Sequence, residues 1–530
     1  MPRNHRRATR AVALVAGAGI AFALVPGGSA TAAPAQRGCE NRTNTTVQAL
    51  LECVRATGAV EHLQALQAIA DANGGTRAAG TPGYEASVDY VVDTLEAAGW
   101  DVSIDEFPFT YVGPSTLQQL TPVNATYPTG PFTGSGPGDV TAAVTPVDLQ
   151  LGLGNTSTSG CEAADFAGFP AGTIALVQRG SCNFSVKAIN AEAAGAAGVI
   201  LFNQGNTTAA DRQELIVGTL GGSDVVGIPV VGASYAQGVA LSAAGSTARV
   251  VVPEPEQRPQ KNVIAELRGA NDGNVVMAGA HLDSVQAGPG INDNGSGSAS
   301  LLEIAQNMAK NKPQNTVRLA WWGAEEAGLV GSTAYVQGLS QAEKDRIALY
   351  LNFDMVASPN YIFMVYDGDE SGFEAPVVVP DGSVAIEDLF ESYFTKVGRP
   401  YDDAEFSGRS DYQAFINNGI PAGGLFTGAE VPKNAQQQAI WGGVAGEAFD
   451  QCYHQACDTI DNVNVEALDV NIDAIALAVL AYSYSTQAVN GVRGVPVPGG
   501  LRLPAPAGPE QSWSAGGGGL APDHGVLASS

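Results

Sequence analysis

Thr316-Val-Arg-Leu-Ala-Trp-Trp322 runs directly into Gly323-Ala-Glu-Glu-Ala-Gly328. The first half is an apolar run with the length and composition of a buried strand. The second half sets Glu325 and Glu326 side by side at the mouth of that strand. Two adjacent carboxylates there repel each other and lose hydration. A positive partner is needed to hold them in place.

Working outward, the same pattern recurs. Val275 to Ala280 is apolar and ends at His281, with Asp283 two residues on. Leu351-Asn-Phe353 ends at Asp354, and the loop from Gly288 to Gly297 carries Asp293-Asn294. Strand signals at Val263–Leu267, 275–280, 317–322 and 348–353 are interleaved with a helical pattern over 298–310. Such alternation predicts a three-layer α/β sandwich with a mixed, largely parallel sheet. In open α/β sheets, sites gather at the carboxyl ends of strands, where His281, Glu325, Glu326 and Asp354 fall. His454 arrives from a loop flanked by Cys452 and Cys457. Imidazole and carboxylate without thiolate suit zinc or a similar divalent ion. Two such ions would compensate the acidic cluster. One glutamate can then bind metal while its neighbour acts as a base toward water.

The 530 residues, 45% of them hydrophobic, allow two or three domains. Arg3, Arg6, Arg7 and Arg10 precede an apolar stretch from Ala11 to Val25, and Ser29-Ala-Thr-Ala32 offers small residues for cleavage. Residues 1–32 therefore read as an export signal, too short for a comfortable membrane span. Removing those four arginines takes the formal charge from −27 to −31. So acidic a chain repels nucleic acid and anionic lipid. The remaining expectation is a secreted, soluble monomer.

Six cysteines in an exported chain point to disulfides. Sequence leaves 15 pairings open; nearest-neighbour pairing, Cys39–Cys53, Cys161–Cys182 and Cys452–Cys457, is the working expectation. Helical spacing covers 46–72 and 85–98, a strand follows over 100–109, and a closing helix spans 464–489. The expected domains are a first segment over 40–125, an insert over 126–253 and a second segment over 254–490. Residues 491–530, rich in Pro, Gly, Ala and Ser, read as a flexible tail. His62 and His524 carry no motif.

The segments AGAHLDS, GINDNGSGS, AWWGAEEAGLVGS, NFDM, GRSDYQAF, GGLFTGAE and CYHQACDT together resemble the secreted bacterial double-zinc leucine aminopeptidases, relatives of aminopeptidase Y. The resemblance covers about residues 61–110 and 260–487. It implies one zinc on His281 and Asp354, the other on Glu326 and His454, and Asp293 bridging them. It makes Glu325 the general base and acid, Tyr453 an oxyanion donor and Asp283 the partner that orients His281. Glu325, Asp354 and the backbone carbonyl of Arg409 would recognise a peptide's free N-terminus, with Met355 and Phe426 shaping an apolar pocket. Asp469 and Asp473, one turn apart, resemble half of a calcium site whose third ligand position falls here at Cys53 or Val54. The stretch VQRGSCNFSVKAINAEAAGAAGVILFNQ resembles a β-rich protease-associated domain, which implies a lid or substrate-selecting insert. A carboxypeptidase, a glutaminyl cyclase and a non-catalytic binding protein of the same fold remain alternatives.

Overall fold

The computed structural model describes residues 38–39, 42–222 and 225–513. The expected signal segment, 1–32, and the last part of the expected tail, 514–530, lie outside them. In chain order the strands are β1 (Asp101–Tyr111), β2 (Thr116–Thr121), β3 (Ala125–Tyr127), β4 (Gly138–Val147), β5 (Ile174–Gln178), β6 (Gly198–Phe202), β7 (Val230–Ala233), β8 (Thr247–Val252), β9 (Glu256–Leu267), β10 (Asn271–His281), β11 (Asn315–Trp322), β12 (Ile347–Phe353), β13 (Met364–Tyr366), β14 (Asp402–Ala404) and β15 (Ala422–Phe426).

Eight of them form the main sheet, in the order β1-β9-β11-β10-β12-β15-β13-β14. Its centre, β11-β10-β12-β15, is parallel. Antiparallel β9 and β1 close one edge. Toward the other edge, β13 runs antiparallel to β15 and β14 runs parallel to β13. The central strands are covered on both faces, which is why they read as continuous apolar runs. Helices Ala56–Ala72, Pro82–Ala98, Ser296–Met308, Ser383–Val397 and Val465–Tyr484 pack on one face. Helices Val330–Gly338 and Tyr412–Ile416 cover the other, around Trp322, Tyr350 and Phe415. The α/β sandwich is thus realised, with β10, β11 and β12 ending together.

The second sheet has the order β3-β2-β8-β4-β5-β6-β7, parallel from β4 to β7 and antiparallel at β2, β3 and β8. It begins at Thr116 rather than at the expected 126. The Pro- and Thr-rich composition there masks β2, which pairs with β8 through Leu117↔Val250. Chain entry and exit are therefore neighbouring strands, joined to the main sheet by the β1–β9 ribbon, Asp101↔Glu266 through Tyr111↔Glu256.

Two further expectations need correction. The helix expected over 46–72 is broken into Val47–Leu51 and Ala56–Ala72, and Cys53, bonded to Cys39, sits in the break. The expected flexible tail is fastened over 491–513. Val495 N–H donates to Tyr484, Ser512 is buried against Asp402, and Trp513 packs edge-on to Phe373 and Phe449. Composition flagged the segment, but a few anchors hold it. Cys161–Cys182 and Cys452–Cys457 are also disulfides. Among the described residues no helix is long and apolar enough to cross a membrane.

Candidate metal centre

The candidate ligands gather at the carboxyl ends of three parallel strands and on two neighbouring loops. His281 closes β10, Glu325 and Glu326 follow β11, and Asp354 follows β12. Asp293 comes from the loop before helix Ser296–Met308, and His454 from the loop closed by Cys452–Cys457. Ligand atoms of His281, Glu325 and Asp354 lie within 4.8 Å of one another, and so do those of Asp293, Glu326 and His454.

Asp293 joins the two groups: its Oδ1 is 3.3 Å from His281 Nε2 and its Oδ2 is 3.3 Å from His454 Nε2. His281 Nε2 is also 3.4 Å from Asp354 Oδ1 and 3.9 Å from Glu325 Oε2. Glu326 Oε2 is 2.9 Å from His454 Nε2. The adjacent glutamates therefore divide, Glu325 toward His281 and Glu326 toward His454.

Backbone strain helps to aim these groups. Ala324, Met355 and His454 adopt positive φ of 57°, 50° and 57°. Left-handed backbone in residues with a Cβ costs roughly 1–3 kcal/mol each, and each position lies at or next to a candidate ligand.

Asp283 plays a double part. Its backbone carbonyl faces His281 Nδ1 at 3.1 Å, closer than its carboxylate at 3.6 Å. The carboxylate accepts the Glu325 N–H at 3.1 Å and the Glu326 N–H at 3.4 Å. Three further supports escaped sequence reasoning. Ser410 donates to Asp354 Oδ2 at 2.6 Å. Asp458 accepts the N–H groups of Asn292 at 2.9 Å and Asp293 at 3.0 Å. Arg77, fully buried, donates to the carbonyls of Leu282, Pro289 and Gly290 and so braces the loop leading to Asp293. None carries a local signal; a lone Arg or Ser far along the chain looks like any surface residue.

Burial disfavours charge on Glu325, and Asp411, Asp354 and Glu326 add repulsion that His281 only partly offsets, so its carboxyl is held well above the usual range. Burial works against protonated His281, yet Asp354 and Glu325 outweigh it and push the imidazole up. Burial likewise opposes charge on His454, and Glu326 and Asp293 overcome it. These shifts mark a site with surplus negative charge. Asp293 Oδ2, Glu326 Oε1 and Asp354 Oδ1 are buried without a hydrogen-bond partner. Nitrogen and oxygen donors with unspent lone pairs fit zinc.

Tyr453 stacks on His454 with ring centroids 3.8 Å apart, and its oxygen accepts from Arg409 at 3.1 Å. Arg409 also pairs with Glu430 at 2.9 Å. Phe426 and Arg409 line a small cavity that Phe449 and Trp513 also border, and Met355 is not among its lining residues. Asp469 and Asp473 stand on the closing helix and enter no group of three candidate ligands among the described residues. His62 is buried between Tyr90 at 2.6 Å and Gln306 at 3.3 Å, away from the centre.

The sequence matches Peptidase family M28 over residues 262–479 and the PA domain over 140–241. An aminopeptidase of Pseudomonas aeruginosa is 54% identical over 455 residues, which is 84% of either chain. This chain belongs to peptidase family M28. A probable lipoprotein aminopeptidase, LpqL of Mycobacterium tuberculosis, is 42% identical to this M28 chain over 85% of it and 88% of the relative. Among solved structures, the aminopeptidase from Aneurinibacillus sp. strain AM-1 is 30% identical, covering 84% of this chain and 97% of that one, with a TM-score of 0.56. The zinc aminopeptidase BSAP from Bacillus subtilis is 26% identical, covering 80% and 94%, with a TM-score of 0.61. The α/β sandwich with an inserted PA domain is therefore that of an M28 aminopeptidase.

Proposed function

We infer that this chain is a zinc aminopeptidase that works outside the cytoplasm on two metal ions. It releases N-terminal residues from peptides, with Leu and other large apolar residues preferred. The observation that carries the two-ion reading is Asp293, whose two oxygens each face a different histidine at 3.3 Å. His281 and Asp354 would hold one ion, Glu326 and His454 the other, and Asp293 would share both. When bound, zinc supplies Lewis acidity, polarising a carbonyl oxygen and making water nucleophilic near neutral pH.

The chain's own groups do the rest. Glu325, its backbone fixed by Asp283, takes a proton from the attacking water and delivers it to the leaving amine. Tyr453 donates a hydrogen bond to the developing oxyanion. Arg409 already donates to the phenolic oxygen, which leaves the phenolic hydrogen to be given to substrate. Glu325, Asp354 and the Arg409 carbonyl receive the substrate's ammonium, and the cavity beside Phe426 receives an apolar side chain. The PA insert takes a substrate-selecting part. Three disulfides support an oxidising location.

The test compares Leu-p-nitroanilide with its N-acetylated form. Cleavage of the free amine alone is expected; equal cleavage of both would overturn amine recognition. Activity is expected to vanish with a chelator and return with zinc, and unchanged turnover in metal-free protein would overturn the zinc reading.

A further inference from the structure

A second acidic nook lies away from the zinc-type centre, at the β13–β14 edge. Asp367 follows β13, Asp403 lies in β14, and Glu387 and Glu391 stand one turn apart on helix Ser383–Val397. Ligand oxygens of Asp367, Asp369 and Glu387 lie within 4.8 Å of one another, as do those of Glu387, Glu391 and Asp403. Only Asp369 is exposed; Asp403 is 1% exposed and Glu387 4%.

Some of these oxygens have work. Asp367 accepts the amides of Ser371, Gly372 and Phe373, and one oxygen of Glu387 accepts those of Gly368 and Asp369. Asp403 Oδ1, by contrast, is buried with no hydrogen-bond partner. The chain closes tightly on the same carboxylate: a Cβ at Gly372 would lie 2.3 Å from Asp403 Oδ2. Burial pushes Asp403 up to about 8 and Glu387 up to about 9, and the charges that add most to the effect belong to other carboxylates.

Every donor in the nook is oxygen. That set lacks the imidazole or thiolate zinc favours, whereas calcium takes six to eight oxygens in adaptable geometry. We propose that Asp367, Asp369, Glu387, Glu391 and Asp403 form a separate cation site of calcium's class that ties β13, helix Ser383–Val397 and β14 together. β14 continues into the strap carrying Arg409 and Ser410, which touch Tyr453 and Asp354. A cation here steadies that strap from behind, and the site does not depend on the aminopeptidase reading.

The test uses the zinc-loaded full chain with calcium chloride as probe, in equilibrium dialysis and thermal melting. One calcium per chain is expected, with a rise in Tm of about 3–8 °C at saturation. A double variant, Asp403→Asn with Glu387→Gln, is expected to weaken calcium binding at least tenfold and abolish the rise, with zinc content unchanged. Terbium emission gives an independent readout, because Tyr401 is buried beside the nook, where it acts on the Glu391 carboxyl. Sensitised emission is expected from the wild type and its loss from Tyr401→Phe. Wild-type protein with neither millimolar calcium binding nor a Tm shift would overturn the proposal. So would undiminished binding in the double variant, which would place the ion elsewhere, Asp469 and Asp473 included. If that variant does not fold, absence of sensitised terbium emission from the wild type overturns it.

Discussion

Asp458 accepts the backbone N–H of Asp293 at 3.0 Å, although 165 positions separate them. Its other oxygen accepts the preceding N–H, from Asn292, at 2.9 Å. One carboxylate thus fixes the peptide that presents Asp293 to both histidines. Partners of this kind typically account for a 10–100-fold change in metal affinity. Asp458→Ala is expected to weaken zinc binding by about that factor in competition with a chelator, and to recover most of its kcat in excess zinc. Asp458→Asn, which keeps one acceptor, should lose less. An unchanged zinc Kd in a folded Asp458→Ala protein would show that Asp293 holds its place without help.

The two neighbouring glutamates should fail in different ways. Glu326 Oε2 faces His454 at 2.9 Å, whereas Glu325 faces His281 only at 3.9 Å. Glu326→Gln is expected to lower the zinc content of purified protein. Glu325→Gln should keep full zinc and lose roughly 10²–10⁴-fold in kcat, the usual scale for a general acid–base. Metal analysis and turnover on the same samples decide it. Zinc loss in Glu325→Gln with normal zinc in Glu326→Gln would reverse the assignment.

The contrast between these residues and Asp458 marks what sequence could tell. Apolar runs ending abruptly at His281, Glu325 and Asp354 are local patterns, and burial of the central strands on both faces makes them strong. Their convergence then follows from the rule that sites lie at the carboxyl ends of parallel strands. Arg77, Ser410 and Asp458 act through hydrogen bonds that span dozens to hundreds of positions, and such bonds have no period. The positive φ at Ala324, Met355 and His454 is equally silent, since none is Gly or Asn, the residues that normally announce it. β2 was hidden because its stability comes from pairing with distant β8 rather than from its own residues.

Glu303 predicts a pH-dependent stability. It is 5% exposed on helix Ser296–Met308 and accepts from the Arg55 N–H at 3.2 Å and Asn307 Nδ2 at 3.1 Å. Burial outweighs those bonds and pushes its carboxyl up to about 7. The folded state therefore holds this proton where the unfolded state has released it. Stability contributed by the neutral acid is present below the ordinary glutamate range and declines as pH rises toward 7. Glu303→Gln keeps the acceptor oxygen and removes the charge. Relative to wild type it should gain on the order of 2–3 kcal/mol between pH 5 and pH 8. Urea midpoints at both pH values measure this, and an equal wild-type–variant gap at the two would refute it.

Tyr453 offers a cleaner test of chemistry than any metal ligand, because its removal need not disturb metal. Its oxygen accepts from Arg409, which is itself paired with Glu430 at 2.9 Å. The phenol is thereby held with its hydrogen directed away from Arg409. Tyr453→Phe keeps the ring that stacks on His454 and deletes only the hydroxyl. Loss of one oxyanion donor typically costs about 2.7–4 kcal/mol, or 10²–10³ in kcat. The expected result is that loss in kcat with KM changed little and zinc retained, since the bond strengthens only as the carbonyl becomes tetrahedral. Arg409→Lys should give a smaller fall in kcat, because a point charge replaces a planar fork that holds Glu430 and Tyr453 together. A Tyr453→Phe enzyme with wild-type kcat would remove the phenol from the reaction and leave stabilisation of the oxyanion to the metal centre.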